Sequence, residues 1–131
     1  MKKVCSVVAL ALCAVLMFAA CGGVKLPEGM TQEAVDDAVQ QSLKLLDAQD
    51  YAGLMDTMTD EMKAAADEET WRQTWGPVAQ QVGAFQSVEK TSYAANNGQA
   101  VAVAKAKFEN GTLTFTLSYN EDYALAGLYF K

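Results

Sequence analysis

The chain has 131 residues, with 16 acidic and 10 basic side chains, three cysteines and no histidine. That length suits one domain with one hydrophobic core. The acidic balance disfavours nucleic acid as a partner, because phosphate recognition needs a basic footprint.

Residues 1–20 read as a targeting segment. Lys2 and Lys3 supply a positive start, and Val4 to Ala20 is an uninterrupted run of apolar and small residues. The run is about 17 residues, at the lower edge of what crosses a bilayer. It ends in Phe18-Ala19-Ala20-Cys21, followed by Gly22-Gly23. This resembles a bacterial lipoprotein signal, in which the cysteine is diacylated on sulfur and becomes the new N-terminus. Phe18 stands where Leu is usual. The alternative is an ordinary secretory signal or an uncleaved anchor. With Cys5 and Cys13 removed and Cys21 carrying lipid, the mature domain has no free thiol. Disulfides and zinc sites built from Cys or His are then excluded. From Cys21 onward, 8 basic side chains face 16 acidic ones, a balance of −8. The lipid is expected to hold the protein at the outer face of a membrane in the cell envelope, while the charge keeps its body off anionic lipid.

Residues 21–30 form a short tether with three glycines and one proline. A single domain follows over residues 31–131. Thr31 is a candidate N-cap, and Val35, Val39, Ser42, Leu43 and Leu46 recur with helical period, predicting a helix from Gln32 to about Ala48. Asp50 opens a second helix bearing Tyr51, Leu54, Met55 and Met58. Thr59-Asp60-Glu61 caps a short turn through Met62 to Ala66, and Asp67-Glu68-Glu69 leads into the third helix. In that helix Trp71, Trp75, Val78 and Val82 share one face, the expected centre of the core. Pro77 is expected to kink this helix or restart it after Gly76.

From Phe85 the period becomes two. Phe85 to Ala94 and Gln99 to Phe108 are predicted strands joined at Asn96-Asn97-Gly98. The second has alanines on one face and Val101, Val103, Lys105 and Lys107 on the other. Asn110-Gly111 marks a second hairpin turn. Thr112 to Tyr119 then alternates with Leu113, Phe115, Leu117 and Tyr119 inward. Asn120-Glu121-Asp122 turns again, and Tyr123 to Phe130 completes the sheet. The fold class is α+β, with three helices packed on a curved four-stranded antiparallel meander.

Two runs carry a family resemblance. One is Asp50-Tyr51, Met55-Asp56, Met58-Thr59, Met62-Lys63, Trp75 and Gly83-Ala84-Phe85; the other is Phe108-Glu109-Asn110-Gly111-Thr112-Leu113-Thr114 with Ala126-Gly127-Leu128-Tyr129-Phe130. Together they resemble the domain of unknown function 3887. That family comprises extracytoplasmic bacterial modules, found alone or ahead of secreted α/β-hydrolases. The resemblance implies a cone like that of nuclear transport factor 2, with helices wrapped by a curved sheet around a pocket. It implies no catalytic residues.

The residues themselves offer several readings. Tyr51, Met55, Trp75, Phe115 and Leu117 are expected to line a pocket in the concave sheet, binding a small apolar ligand or a partner-protein segment without catalysis. A second reading is a pure interaction module forming a homodimer through a sheet face that includes Val101 and Val103. A third is a His-free hydrolase or isomerase using Asp56 with a tyrosine. Trp71 and Trp75 offer an aromatic platform as an alternative to core packing. Met55, Met58 and Met62 offer an adaptable peptide surface. No metal site or cofactor is expected: Asp67-Glu68-Glu69 lacks the spacing of a calcium loop. Cys21 is the most specific functional position in the chain.

Overall fold

A computed structural model describes residues 26–131. The expected signal peptide, Cys21 and the first part of the tether lie outside the described residues. Within them, helices α1 (Gln32–Asp47), α2 (Tyr51–Asp56), α3 (Asp60–Ala65) and α4 (Glu68–Val82) precede strands β1 (Phe85–Asn96), β2 (Gln99–Phe108), β3 (Gly111–Tyr119) and β4 (Leu125–Phe130). The sheet is antiparallel throughout, in the order β1-β2-β3-β4, so β1 and β4 are its edges.

Each helix starts where a side-chain oxygen answers a free amide. The Thr31 hydroxyl accepts from the Ala34 N–H at 3.2 Å, and Asp50 accepts from Gly53 at 3.0 Å. Thr59 accepts from Met62, and Asp67 from both the N–H and the hydroxyl of Thr70. The segment after Thr59, expected as a turn, is a helix in its own right, so four helices stand where three were expected. Asp60 and Glu61 in its first turn and Lys63 in its last suit the helix dipole. The α1 stripe is as expected: Val35, Val39, Ser42, Leu43 and Leu46 are all buried.

Pro77 does not split α4, which runs unbroken from Glu68 to Val82. Gln73, Pro77 and Gln80 are exposed, so the backbone bond that proline removes lies on the solvent side. The opposite face keeps its packing. Trp75 is 1% exposed and Trp71 7%, with Val78 and Val82 partly buried behind them.

In β2, Ala100, Ala102, Ala104 and Ala106 all face the core and are fully buried. Their small size leaves room under the helices for the large side chains of α1 and α4. Phe115, Leu117 and Tyr119 of β3 extend this layer, with Leu113 partly buried. The first hairpin turns at Asn97 and Gly98, both at positive φ, as a two-residue connection between twisted strands requires. The second turns at Glu109-Asn110, one residue earlier than expected, and Gly111 already pairs with Phe108. Tertiary contacts fix this register. The Glu109 N–H donates to the Ala84 carbonyl at 3.0 Å, the Asn110 N–H donates to Val82 at 2.8 Å, and the Glu109 carboxylate accepts from the Ala84 N–H at 2.7 Å. The turn is thereby clamped to the junction between α4 and β1, where Gly83 sits at φ 76°. β4 starts at Leu125, not Tyr123, because Asn120 holds the intervening loop. Its side chain accepts from the N–H groups of Asp122 and Ala124.

Candidate functional site

The sequence placed a pocket among Tyr51, Met55, Trp75, Phe115 and Leu117. The structure brings these residues into one cluster, but as closed core. Phe115 and Leu117 have no exposed surface, and Tyr51 is nearly buried. The Trp75 ring lies 5.9 Å from Phe108, 5.9 Å from Phe115 and 5.4 Å from Phe130, the last edge to face. One large indole meeting three phenyl rings fills the space that a ligand would need. Met55, partly buried, packs at the margin of the same cluster. The expectation of an open pocket at these residues is therefore corrected.

An open cleft lies one helical turn away, along β4. Glu61 and Met62 of α3, Ala66 in the link and Trp71 of α4 form one wall, with Leu128 and Tyr129 of β4 opposite. A second depression shares Ala66, Trp71, Leu128 and Tyr129 and extends toward Thr70, Thr74 and Phe130. Their volumes are about 320 and 350 Å³, and the shared walls make them one groove beside the strand. Tyr129, 63% exposed, is the large hydrophobic residue most open to solvent among those described. Both tryptophans belong to the core, but only Trp71 also lines the groove. Met62 joins the groove, whereas Met58 is buried. Sequence reasoning missed Leu128 as a wall residue. Its apolar neighbours read equally well as core.

The groove follows the open edge of the sheet. Lys131 and Thr114 exchange both backbone hydrogen bonds, at 2.9 and 3.1 Å. By the alternation of an antiparallel ladder, Tyr129 and Gly127 also bond toward β3, whereas the amides of Leu128 and Phe130 point away from it. The edge is covered at Leu125, where the Leu125 N–H donates to Thr57 at 2.7 Å and the Thr59 N–H donates to Leu125 at 3.0 Å. Beyond Leu125, no backbone partner occupies the outer edge of β4 among the described residues.

The remaining titratable candidates serve the framework. The Tyr119 hydroxyl shares a buried 2.9 Å hydrogen bond with Ser42, and burial pushes its pKa well up. Tyr93 donates to Asp36, joining β1 to α1. Burial first, then the Asp36 hydrogen bond and charge, push its hydroxyl up to about 12. A polar depression beside that pair is lined by Asp36, Gln40 and Thr91. Burial raises the Tyr51 pKa, partly offset by the Arg72 guanidinium over its ring at 5.5 Å. Tyr123 accepts from the Thr31 N–H. Asp56 is exposed at the end of α2 and lines none of these depressions. Val101 is buried and Val103 partly so on the outer sheet face, where the register places Val103, Thr116 and the exposed Tyr129 side by side. Among the described residues, no three acidic or cysteine side chains are grouped to hold a metal ion, and no helix is long and apolar enough to cross a membrane.

Four short-to-medium helices followed by an open antiparallel meander define an α+β domain. A solved structure with this fold is the NMR structure of a protein from Ruminococcus gnavus ATCC 29149. It is 22% identical to this chain, with a TM-score of 0.67, covering 80% of this chain and 95% of that one. No curated protein matches the sequence. Residues 31–128 match the family described as Protein of unknown function (DUF3887), and the chain belongs to that family.

Proposed function

We propose that this protein is a lipid-anchored domain on the outer face of a membrane in the cell envelope, where it holds a segment of a partner protein without catalysing a reaction. The observation that carries the reading is the groove along β4, apolar along most of its walls and bordered by the exposed Tyr129. Exposed aromatic surface beside an apolar cleft is the usual anchor of a binding patch. The small-ligand version loses its support because Trp75 and its three phenyl neighbours fill the concave face. The hydrolase or isomerase version lacks a cavity at Asp56. The anchor rests on the sequence from Lys2 to Gly23, above all on Cys21.

A photo-crosslinking amino acid placed at Tyr129 in intact cells tests both parts, with the same label at Thr112, on the far part of the outer sheet face, as control. The expected result is a discrete adduct from position 129, none from 112, and loss of the adduct in Cys21→Ala together with release from membranes. Equal labelling at both positions would remove the groove as the binding site. If Cys21→Ala stays in the membrane fraction, unprocessed and at the mass of the native protein, the lipid anchor loses its support.

A further inference from the structure

Building on the groove as the binding site, we infer that its occupant is an extended peptide segment that adds a fifth strand to the open edge of β4, with apolar residues alternating along it and a lysine or arginine at its Glu61 end. Three observations converge on this. The backbone groups of Leu128 and Phe130 face outward from the edge, two residues apart, which is the spacing of a docking strand's own ladder bonds. The space beside them is already walled by Met62, Ala66 and Trp71, so every second side chain of an added strand would enter an apolar cleft. The Met58–Leu125 bridge stops the pairing at one end and sets how far an added strand can run.

Charge gives the segment its polarity. Glu61 lines the groove, Asp60 precedes it in the first turn of α3, and Asp67, Glu68 and Glu69 open α4 just beyond the link. The nearby cations are Lys63, which does not line the groove, and Arg72, which is paired to Glu69. A basic residue at that end is therefore attracted, and an acidic one repelled. A second copy of this chain is the weaker occupant: each mature copy carries a balance of −8, so the two bodies repel.

The test uses the chain from Gly22 to Lys131, which contains the whole buried core, Met30 to Leu128. Its backbone amides are followed by NMR while an acetylated, alternating valine–threonine heptapeptide with lysines at both ends is added. The expected result is saturable shifts and slowed hydrogen exchange at Leu128 and Phe130, with a dissociation constant below about 1 mM. N-methylation of the peptide amides on its pairing edge should abolish those changes. Glu61→Lys should weaken binding about two- to fivefold, as an exposed charge pair allows. Absence of shifts at millimolar peptide would overturn the inference. So would shifts at the Trp71 side chain that persist with the N-methylated peptide, although the groove would then stand as a binding site. Protection of Leu128 that grows with protein concentration and without peptide would make a second copy the occupant, and would also overturn it.

Discussion

The two edges of the sheet are built to opposite ends. β1 is twelve residues long and carries two register shifts, between Phe85 and Ser87 and between Val88 and Lys90. Gln86, Ser87, Glu89 and Lys90 are exposed along it, and its first amide, that of Phe85, donates to the Asp47 carboxylate at 2.9 Å. Bulges, charge and a satisfied terminal amide are the devices by which an edge refuses another strand. β4 is six residues of Leu-Ala-Gly-Leu-Tyr-Phe, without charge; it carries one register shift, at Ala126, and its outer edge is covered at Leu125. An edge left open beside an apolar groove is a liability unless something is meant to pair there. The contrast favours β4 as the interaction edge.

The comparison can be broken most forcefully at Trp75, which packs on Phe130 and so supports β4 from beneath. Trp75→Ala should cost about 3–5 kcal/mol in urea unfolding. Hydrogen exchange should accelerate more at Tyr129 and Lys131 than at Ala94, whose amide bonds toward β2, and an even loss across both edges would show that β4 does not depend on this contact. Next comes Gly83, where β1 is launched. Its positive φ and the approach of Glu109, 2.8 Å from where a Cβ would stand, predict that Gly83→Ala costs about 1–3 kcal/mol. Unchanged stability would show that the junction clamp yields freely.

Removing the buried Tyr119 hydroxyl strands the Ser42 hydroxyl, so Tyr119→Phe should cost about 1–2 kcal/mol. Alkaline pH probes the β1 side. Tyr93 ionises near 10 when unfolded and near 12 when folded, so the folded state keeps its proton where the unfolded state loses it. The stability is fully present below pH 10 and falls as pH rises toward 12. Tyr93→Phe should flatten part of that fall, and the residual slope should belong to Tyr119 and Tyr51, whose shifts have the same sign. An unaltered slope in Tyr93→Phe would mean that its ionisation is not linked to folding. The smallest effect is expected at Tyr129, which is exposed: Tyr129→Lys should leave stability within about 0.5 kcal/mol while blunting β4 against added strands. A large loss of stability would instead make Tyr129 a structural residue.

Much of the framework was legible in the residues. The α1 stripe from Val35 to Leu46 and the alternation from Leu113 to Tyr119 fall on the buried positions expected of periods 3.6 and 2. The caps at Thr31, Asp50, Thr59 and Asp67 were readable because capping is local, between a side chain and an amide three residues on. The pocket was misplaced for the opposite reason. Trp75 and Phe115 are far apart in sequence, and whether an indole and a phenyl ring leave a void or close it depends on packing that periodicity does not encode. The second hairpin shifted by one residue because Ala84 and Val82, two strands earlier in the chain, supply the acceptors for its amides.

By itself the sequence determined the chain's order of helices then antiparallel strands, its acidic body and the expectation of a lipid anchor at Cys21, because each follows from neighbouring residues and composition. Tertiary structure alone decided that the concave face is filled, that Trp71 lines the groove while Trp75 does not, and that the edge at β1 is bulged and charged along its first half while β4 runs beside an apolar groove. Those are matters of which side chains meet across the fold, and close packing leaves no vacancy that local pattern could announce.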